Sequence, residues 1–306
     1  MEIREGKALI GGQERSDVKI HYEDMGNPDD PAVLLVMGLG AQLVLWREEF
    51  CSKLVDQGLR VIRFDNRDAG LSSHFHGQRT KGSQVGNMFR SLVGFKSPSV
   101  YTLEDMADDA AGLLDHLGID RAHVVGASMG GMIAQVFAAR HAARTRALGV
   151  IFSSNNRALL PPPGPQQLLA VVTGPSPHSP REVIVENSIR VSRIIGSPGY
   201  PSTEEKLRAD AIALYDRAFN PQGIARQFNA ITGSGSLLRY NKQITAPTVV
   251  IHGKADKLMR PSGGRAIARA IKGARLVLFD GMGHELPEPL WDDIVGELKT
   301  TFAEVS

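Results

Sequence analysis

Short apolar runs that alternate with helical periodicity constrain the fold of this chain more than any other feature. An uninterrupted apolar run, unlike an alternating one, is typical of a strand buried on both faces of a parallel sheet. Helical stretches lie between the runs, as at residues 103–117, where apolar side chains recur every 3.6 residues. The pattern predicts an α/β fold with a doubly wound, mostly parallel sheet. The strand-like runs lie at residues 33–37, 60–64, 123–125, 148–152, 248–251 and 276–279.

The alternation stops between residues 155 and 240, where helical periodicity dominates and no buried-strand run occurs. This segment opens with a proline-rich stretch at residues 161–165. Such a stretch cannot continue a helix or a central strand. Helices are expected at residues 183–195, 204–219 and 222–231. We therefore predict that residues 1–154 and 241–306 form the sheet core, into which residues 155–240 are inserted as a helical cap.

Charge and cysteine content exclude several classes of protein. The 306 residues include 35 basic and 33 acidic side chains, a net charge of +2 without the basic footprint of a nucleic-acid binder. The single cysteine, Cys51, excludes an intramolecular disulfide and fits a reducing compartment. The longest apolar stretch, residues 32–46, is too short to span a bilayer, and residues 1–6 carry no apolar signal region. We expect a cytoplasmic protein with no nucleic-acid partner and no membrane span, and the oligomeric state stays open.

The pattern Gly126-x-Ser128-x-Gly130 stands between the strand-like run 123–125 and a helical stretch that begins at Met129. A nucleophilic serine on such a strand-to-helix turn sits in strained backbone, so small residues are needed on both sides. The helix start also directs backbone N–H groups at developing negative charge. A glycine-rich turn with an incidental serine is the alternative, but the strand and helix context favours a catalytic nucleophile.

His284 and Asp256 are the predicted partners of this serine. A serine hydroxyl needs a base, and His284 is the one histidine of nine that closely follows a strand in a loop at the sheet's carboxyl edge. Asp256 follows the run 248–251 at the same edge and can orient the imidazole. Asp280 is a rival acid, but it lies only four residues before the histidine, on the same strand end.

Two backbone N–H groups are candidates for an oxyanion hole, the pair of donors that would stabilise a tetrahedral intermediate. One is Met129 N–H, directly after the nucleophile. The other comes from the loop Met37-Gly38-Leu39-Gly40 after the first long apolar run, with Leu39 N–H as the predicted donor. A lone Gly-x-Gly would by itself indicate only a turn.

Together these motifs resemble those of the α/β-hydrolase superfamily, and the resemblance runs nearly from end to end. The stretch at residues 65–72 is similar to the family's Asp-x-Arg-Gly-x-Gly-x-Ser loop, with Asp68 in place of the usual glycine. Met37 stands where the family usually has histidine, which removes a polar side chain but keeps the backbone donors. The elbow at residues 126–131 is similar to that of cap-bearing serine esterases, including carboxylesterases, cofactor-free haloperoxidase-like proteins and polyketide methylesterases.

The resemblance implies an enzyme of the carboxylesterase type that cleaves small-molecule carboxylic esters. Its triad would be Ser128, His284 and Asp256, and it would need no metal or other cofactor. Because dehalogenases and epoxide hydrolases of this fold carry aspartate at the elbow, Ser128 argues against both. Thioester, amide and C–C bond hydrolysis and acyl transfer stay open. The alternatives are a methylesterase or C–C bond hydrolase acting on a ring-type substrate, and a small-molecule receptor with the hydrolase fold.

Overall fold

The computed structural model describes residues 2–12, 15–78, 86–87, 90 and 94–305, and eight strands in these ranges form one sheet. The strand order is β1-β2-β4-β3-β5-β6-β7-β8. β2 pairs antiparallel with both β1 and β4, and all other neighbours are parallel, which confirms the predicted mostly parallel α/β sheet. The strands are β1 (Ile3–Gly12), β2 (Arg15–Met25), β3 (Ala32–Val36), β4 (Arg60–Phe64), β5 (Ala122–Ala127), β6 (Thr145–Ile151), β7 (Thr248–Gly253) and β8 (Arg275–Phe279).

Helices cover both faces of this sheet. Helices α2, α3 and α9 contribute to the apolar core on one face, and α1 and α10 to the core on the other. Within the described ranges, no helix is both long enough and apolar enough to cross a membrane. The helices are α1 (Glu48–Val55), α2 (Leu103–His116), α3 (Met129–Arg140), α4 (Pro165–Val172), α5 (Arg181–Ile195), α6 (Glu204–Arg217), α7 (Pro221–Ser234), α8 (Leu238–Asn241), α9 (Pro261–Ala270) and α10 (Trp291–Phe302).

The central strands bring several loops to one edge of the sheet. Every residue of β3, β5 and β7 is buried, as expected for strands packed on both faces. Val36 pairs with Gly126, Ala127 with Ile151, and Ile151 with Ile251, so the strands end at the same level. The loops that follow β3, β5, β7 and β8 therefore meet at the carboxyl edge, where open α/β sheets bind ligands.

The stretch between β6 and β7 contains helices α4 to α8 and no strand. The three predicted helices are present, with bounds that differ from the expected ones by up to three residues. The sequence pattern does not predict α4, which begins at Pro165, a position where the missing N–H is no disadvantage. Val185, Ile189 and Ala211 form a small separate core between α5 and α6. The division into a core and a cap domain stays a prediction.

His123, near the start of β5, is a buried histidine at the opposite edge of the sheet. Only 4% of the residue is exposed, and its ring stacks on Phe302 with the centroids 4.0 Å apart. Its Nδ1 has no hydrogen-bond partner in the described part of the chain. Burial lowers the pKa of His123 to about 4, and the charges of Arg146 and Arg121 act in the same direction.

We expect this histidine to make the folded protein less stable in mild acid. Unfolded His123 has a pKa of about 6.5 and binds a proton there, whereas the folded state stays neutral until about pH 4. The free energy of unfolding should therefore fall by about 3 kcal/mol as the pH drops through this window. Urea unfolding of wild type and His123→Leu at about pH 7 and pH 4.5 tests this, since the variant should lose clearly less stability. Equal losses in both proteins would contradict it.

Candidate active site

Ser128 occupies a tight turn between β5 and α3. Its φ is 56° and its ψ is −121°, which is a left-handed conformation that few residues other than glycine adopt. A methyl group added to Gly126 would lie 2.1 Å from the Gly130 carbonyl oxygen, and one on Gly130 would lie 2.1 Å from the Val36 carbonyl oxygen. Both glycines are therefore required by close backbone approach, and the turn presents the serine hydroxyl at the carboxyl edge.

The structure brings the three predicted side chains into one hydrogen-bonded chain. His284 Nε2 lies 2.9 Å from Ser128 Oγ, and His284 Nδ1 lies 2.8 Å from Asp256 Oδ2. The Phe152 ring packs on the imidazole with the centroids 4.8 Å apart. The rival acid Asp280 points elsewhere: its side chain is 84% exposed and pairs with Lys254.

The Asp256 carboxylate is buried and fully engaged. Its Oδ1 accepts hydrogen bonds of 2.9 Å from the N–H groups of Leu258 and Met259, while Oδ2 faces His284. Burial raises the pKa of Asp256, but the interaction with His284 and the hydrogen bonds from His252 and His284 outweigh it, so the net pKa lies well below its usual range. The group is therefore an anion at neutral pH and can stabilise a protonated His284.

A second histidine, His252, lies close to the Asp256 carboxylate. It is fully buried in β7, and its Nε2 donates to the Met259 carbonyl at 2.5 Å and lies 3.4 Å from Asp256 Oδ2. The sequence indicates only a strand histidine here. The single signal was its spacing of four residues from Asp256, which is not specific enough to predict the contact.

The loop after β3 lies directly against the nucleophile. A methyl group on Gly38 would be 3.1 Å from Ser128 Cβ and 3.3 Å from the Ala127 carbonyl oxygen, so a side chain here would have to push the nucleophile turn and the loop slightly apart. Asn66 Nδ2 donates to the Met37 carbonyl at 2.8 Å on one side of Leu39. The N–H groups of Leu39 and Met129 have no acceptor among the described residues, which leaves both predicted oxyanion donors available.

Asp68, the residue that departs from the family loop, is a buried anchor for α7. It has a φ of 67°, and its carboxylate accepts two hydrogen bonds of 2.7 Å from Arg226 and one of 2.7 Å from the Tyr101 hydroxyl. Burial raises the pKa of Asp68, but the hydrogen bonds from Arg226, Phe75 N–H and Tyr101 lower it below its usual range. Asp68 thus joins the loop after β4 to the helices between β6 and β7.

The loop that carries His284 is also held by this helical segment. His284 N–H donates to the Ile195 carbonyl at 2.8 Å, and Gly283 N–H donates to Ser197 Oγ at 2.9 Å. A methyl group on Gly283 would lie 2.1 Å from the Gly196 carbonyl oxygen. The backbone after α5 therefore fixes where the imidazole stands.

Comparisons with known proteins show similarity to one protein family over most of the chain. The profile of the family described as alpha/beta hydrolase fold matches residues 31–288. The chain is 28% identical to the rhodomycin D methylesterase of Streptomyces peucetius over 298 residues, which covers 90% of this chain and 93% of the relative. It is 29% identical to a 2-hydroxy-6-oxononadienedioate/2-hydroxy-6-oxononatrienedioate hydrolase of Cupriavidus pinatubonensis over 275 residues, with coverages of 88% and 85%.

Solved structures show the same fold. The enol-lactonase from Burkholderia xenovorans superimposes with a TM-score of 0.70 and is 24% identical, with 94% of this chain and 97% of that chain covered. At this identity the likeness speaks for the fold alone.

Proposed function

Since this chain belongs to the α/β-hydrolase fold family, we propose that it hydrolyses carboxylic esters through an acyl-enzyme on Ser128. The observation that carries the proposal is the hydrogen-bonded chain from Ser128 Oγ through His284 to Asp256, with distances of 2.9 and 2.8 Å. In such a chain the imidazole can take the proton of the hydroxyl, and the carboxylate can stabilise the imidazolium that forms.

The first half of the reaction forms the acyl-enzyme. Ser128 Oγ attacks the ester carbonyl carbon while His284 Nε2 takes the hydroxyl proton, and Asp256 stabilises the imidazolium through the Nδ1–H bond. The carbonyl oxygen becomes an oxyanion that accepts hydrogen bonds from Leu39 and Met129 N–H. When the tetrahedral intermediate collapses, the C–O bond to the alcohol breaks and His284 returns the proton to the leaving oxygen.

The second half repeats these roles with water. A water molecule gives a proton to His284 Nε2 and attacks the acyl carbon, and collapse of the second intermediate breaks the bond to Ser128 Oγ. His284 then protonates that oxygen, so the acid product leaves and the enzyme is restored. Each oxyanion donor typically contributes about 3 kcal/mol to lowering such a barrier.

The names of relatives support an ester and also favour one second candidate. Rhodomycin D methylesterases from two Streptomyces strains match at 27% and 28% identity, which favours ester cleavage and, within it, a methyl ester. Two relatives named as dienoate-type hydrolases match at 29% and 26% identity. C–C bond hydrolysis of such a substrate is therefore the second candidate. The intact Ser128–His284 contact weighs against a non-catalytic receptor.

A fluorophosphonate probe combined with a substrate panel tests the proposal. We expect the probe to label Ser128 alone, as read by peptide mass spectrometry, and p-nitrophenyl acetate and aromatic methyl esters to be hydrolysed. Turnover of a 2-hydroxy-6-oxo-dienoate at least about a hundred times faster than that of any ester would favour the second candidate. An unlabelled Ser128 would contradict both and support a receptor.

A further inference from the structure

We propose that Gln227, a buried side chain of α7, is a positioning residue that holds the oxyanion loop in its active shape. The oxyanion loop is the segment Met37-Gly38-Leu39-Gly40 that supplies the Leu39 N–H. The inference rests on the proposed function, because it assigns to Gln227 a part in the same ester hydrolysis without contact to the substrate.

The Gln227 amide joins the loop after β3 to the loop after β4. Its Oε1 accepts a 2.7 Å hydrogen bond from Gly40 N–H, and its Nε2 donates a 2.8 Å hydrogen bond to the Arg67 carbonyl. The side chain is completely buried, so water does not compete for either bond. The amide is thus oriented by one bond and places the Gly40 backbone with the other.

The contact with Gly40 bears directly on the predicted donor. Leu39 and Gly40 share one peptide unit, so the direction of the Gly40 N–H limits the backbone angles available at Leu39. On the other side, Asn66 holds the Met37 carbonyl. Gly40 itself has a φ of 65°, which glycine adopts without strain but also leaves readily. Without the Gln227 bond, the donor N–H would sample directions away from the oxyanion.

Helix α7 is a rigid support for this bond. The residue before Gln227, Arg226, makes the two hydrogen bonds to buried Asp68, and the Asn220 amide donates to the Asp68 carbonyl at 3.1 Å. Ile224 lies against the loop, since a methyl group on Gly40 would be 2.8 Å from its Cγ1. The helical segment between β6 and β7 therefore contributes to transition-state stabilisation through Gln227.

The experiment compares Gln227→Met with a control on the same helix. Asn229→Leu also removes a buried amide, one that bonds Asn87 at 3.1 Å, but within the described residues this amide has no hydrogen bond to the oxyanion loop or to Ser128. With p-nitrophenyl acetate we expect Gln227→Met to lower kcat about 10- to 50-fold and to change KM less than about twofold, because the lost interaction acts in the transition state. Asn229→Leu should keep kcat within about twofold of wild type.

Two further readouts separate positioning from a loss of fold. The affinity of Gln227→Met for a boronic acid transition-state analogue should fall in parallel with its kcat. The Tm of Gln227→Met and of Asn229→Leu shows whether each variant keeps its fold. Gln227→Glu keeps an acceptor for Gly40 N–H and should retain at least about five times the kcat of Gln227→Met. If Gln227→Met does not fold, the kcat of Gln227→Glu is compared with that of Asn229→Leu instead. A Gln227→Glu kcat below about one-twentieth of wild type would then overturn the inference.

The outcomes distinguish this inference from the proposed function. If the wild type hydrolyses the ester and Gln227→Met has the same kcat, the inference is overturned and the proposed ester hydrolysis is not affected. Wild type without hydrolysis or Ser128 labelling would overturn both. An equal loss of kcat in Gln227→Met and Asn229→Leu would also overturn it, because the effect would then belong to α7 packing.

Discussion

Replacing Ser128 with alanine should lower kcat for p-nitrophenyl acetate by about 10⁴- to 10⁶-fold. The variant loses the atom that attacks the carbonyl, while the oxyanion donors and the substrate-binding surface stay in place and account for the residual rate. Alanine keeps the Cβ of the strained turn at φ 56°, so the fold should be retained. The measurement is steady-state hydrolysis with a detection limit below about 0.0001% of wild type.

A serine at the same edge provides the matched control. Ser154 lies three residues beyond β6, and its Oγ accepts a hydrogen bond of 3.0 Å from Asn156 N–H rather than contacting His284. Ser154→Ala should keep its activity within about threefold of wild type. A Ser128→Ala protein that retains more than about 1% of wild-type kcat would mean that another group attacks the ester.

Replacing Asp256 with asparagine should lower kcat by about 10⁴-fold. The change removes the anion that holds the His284 Nδ1–H and stabilises the imidazolium, so the ring can take the wrong tautomer and orientation. The effect is expected to be large because Asp256 is buried, so water cannot take over the role of its carboxylate. We would measure kcat and KM at neutral pH, with the thermal unfolding of each variant as a check on folding.

Asp280→Asn is the matched control for this substitution. Both acids follow strands at the same edge, but the Asp280 side chain is 84% exposed and pairs with Lys254. Its removal should change kcat less than about twofold, since an exposed ion pair contributes little. The reverse ranking of the two variants would transfer the role of the acid to Asp280.

Much of the fold was predictable because its signals are local. A run of apolar residues such as β3 specifies a buried strand by itself, and the capping box of Thr102 and Asp105 marks the start of α2. The elbow was predictable for the same reason, since the glycines that flank Ser128 are dictated by contacts within a few residues and with one neighbouring strand. Helix α4 was missed because it begins at the last proline of the proline-rich stretch, which predicts a break in regular structure.

The contacts that hold the site together were not predictable in the same way. Gln227 is 187 residues from Gly40 in sequence, and Ile195 is 89 residues from His284. No spacing rule relates such positions, because each pairing depends on how the helices after β6 fold back over the sheet. Asp68 illustrates the point: the sequence shows only a departure from a family loop, and the structure supplies Arg226 as its partner.

The sequence alone therefore determined most of the sheet and the strained turn at Ser128, because burial patterns and steric limits act on neighbouring residues. The chain order of nucleophile, acid and base is a prediction from the same motifs. In the tertiary structure His284 lies against Asp256, as the sequence predicts, and not against Asp280. Only the tertiary structure shows that the helices between β6 and β7 hold both the histidine loop and the oxyanion loop. The physical reason is that these choices are made by hydrogen bonds between distant segments. Those hydrogen bonds can form only once the helices are packed on the sheet.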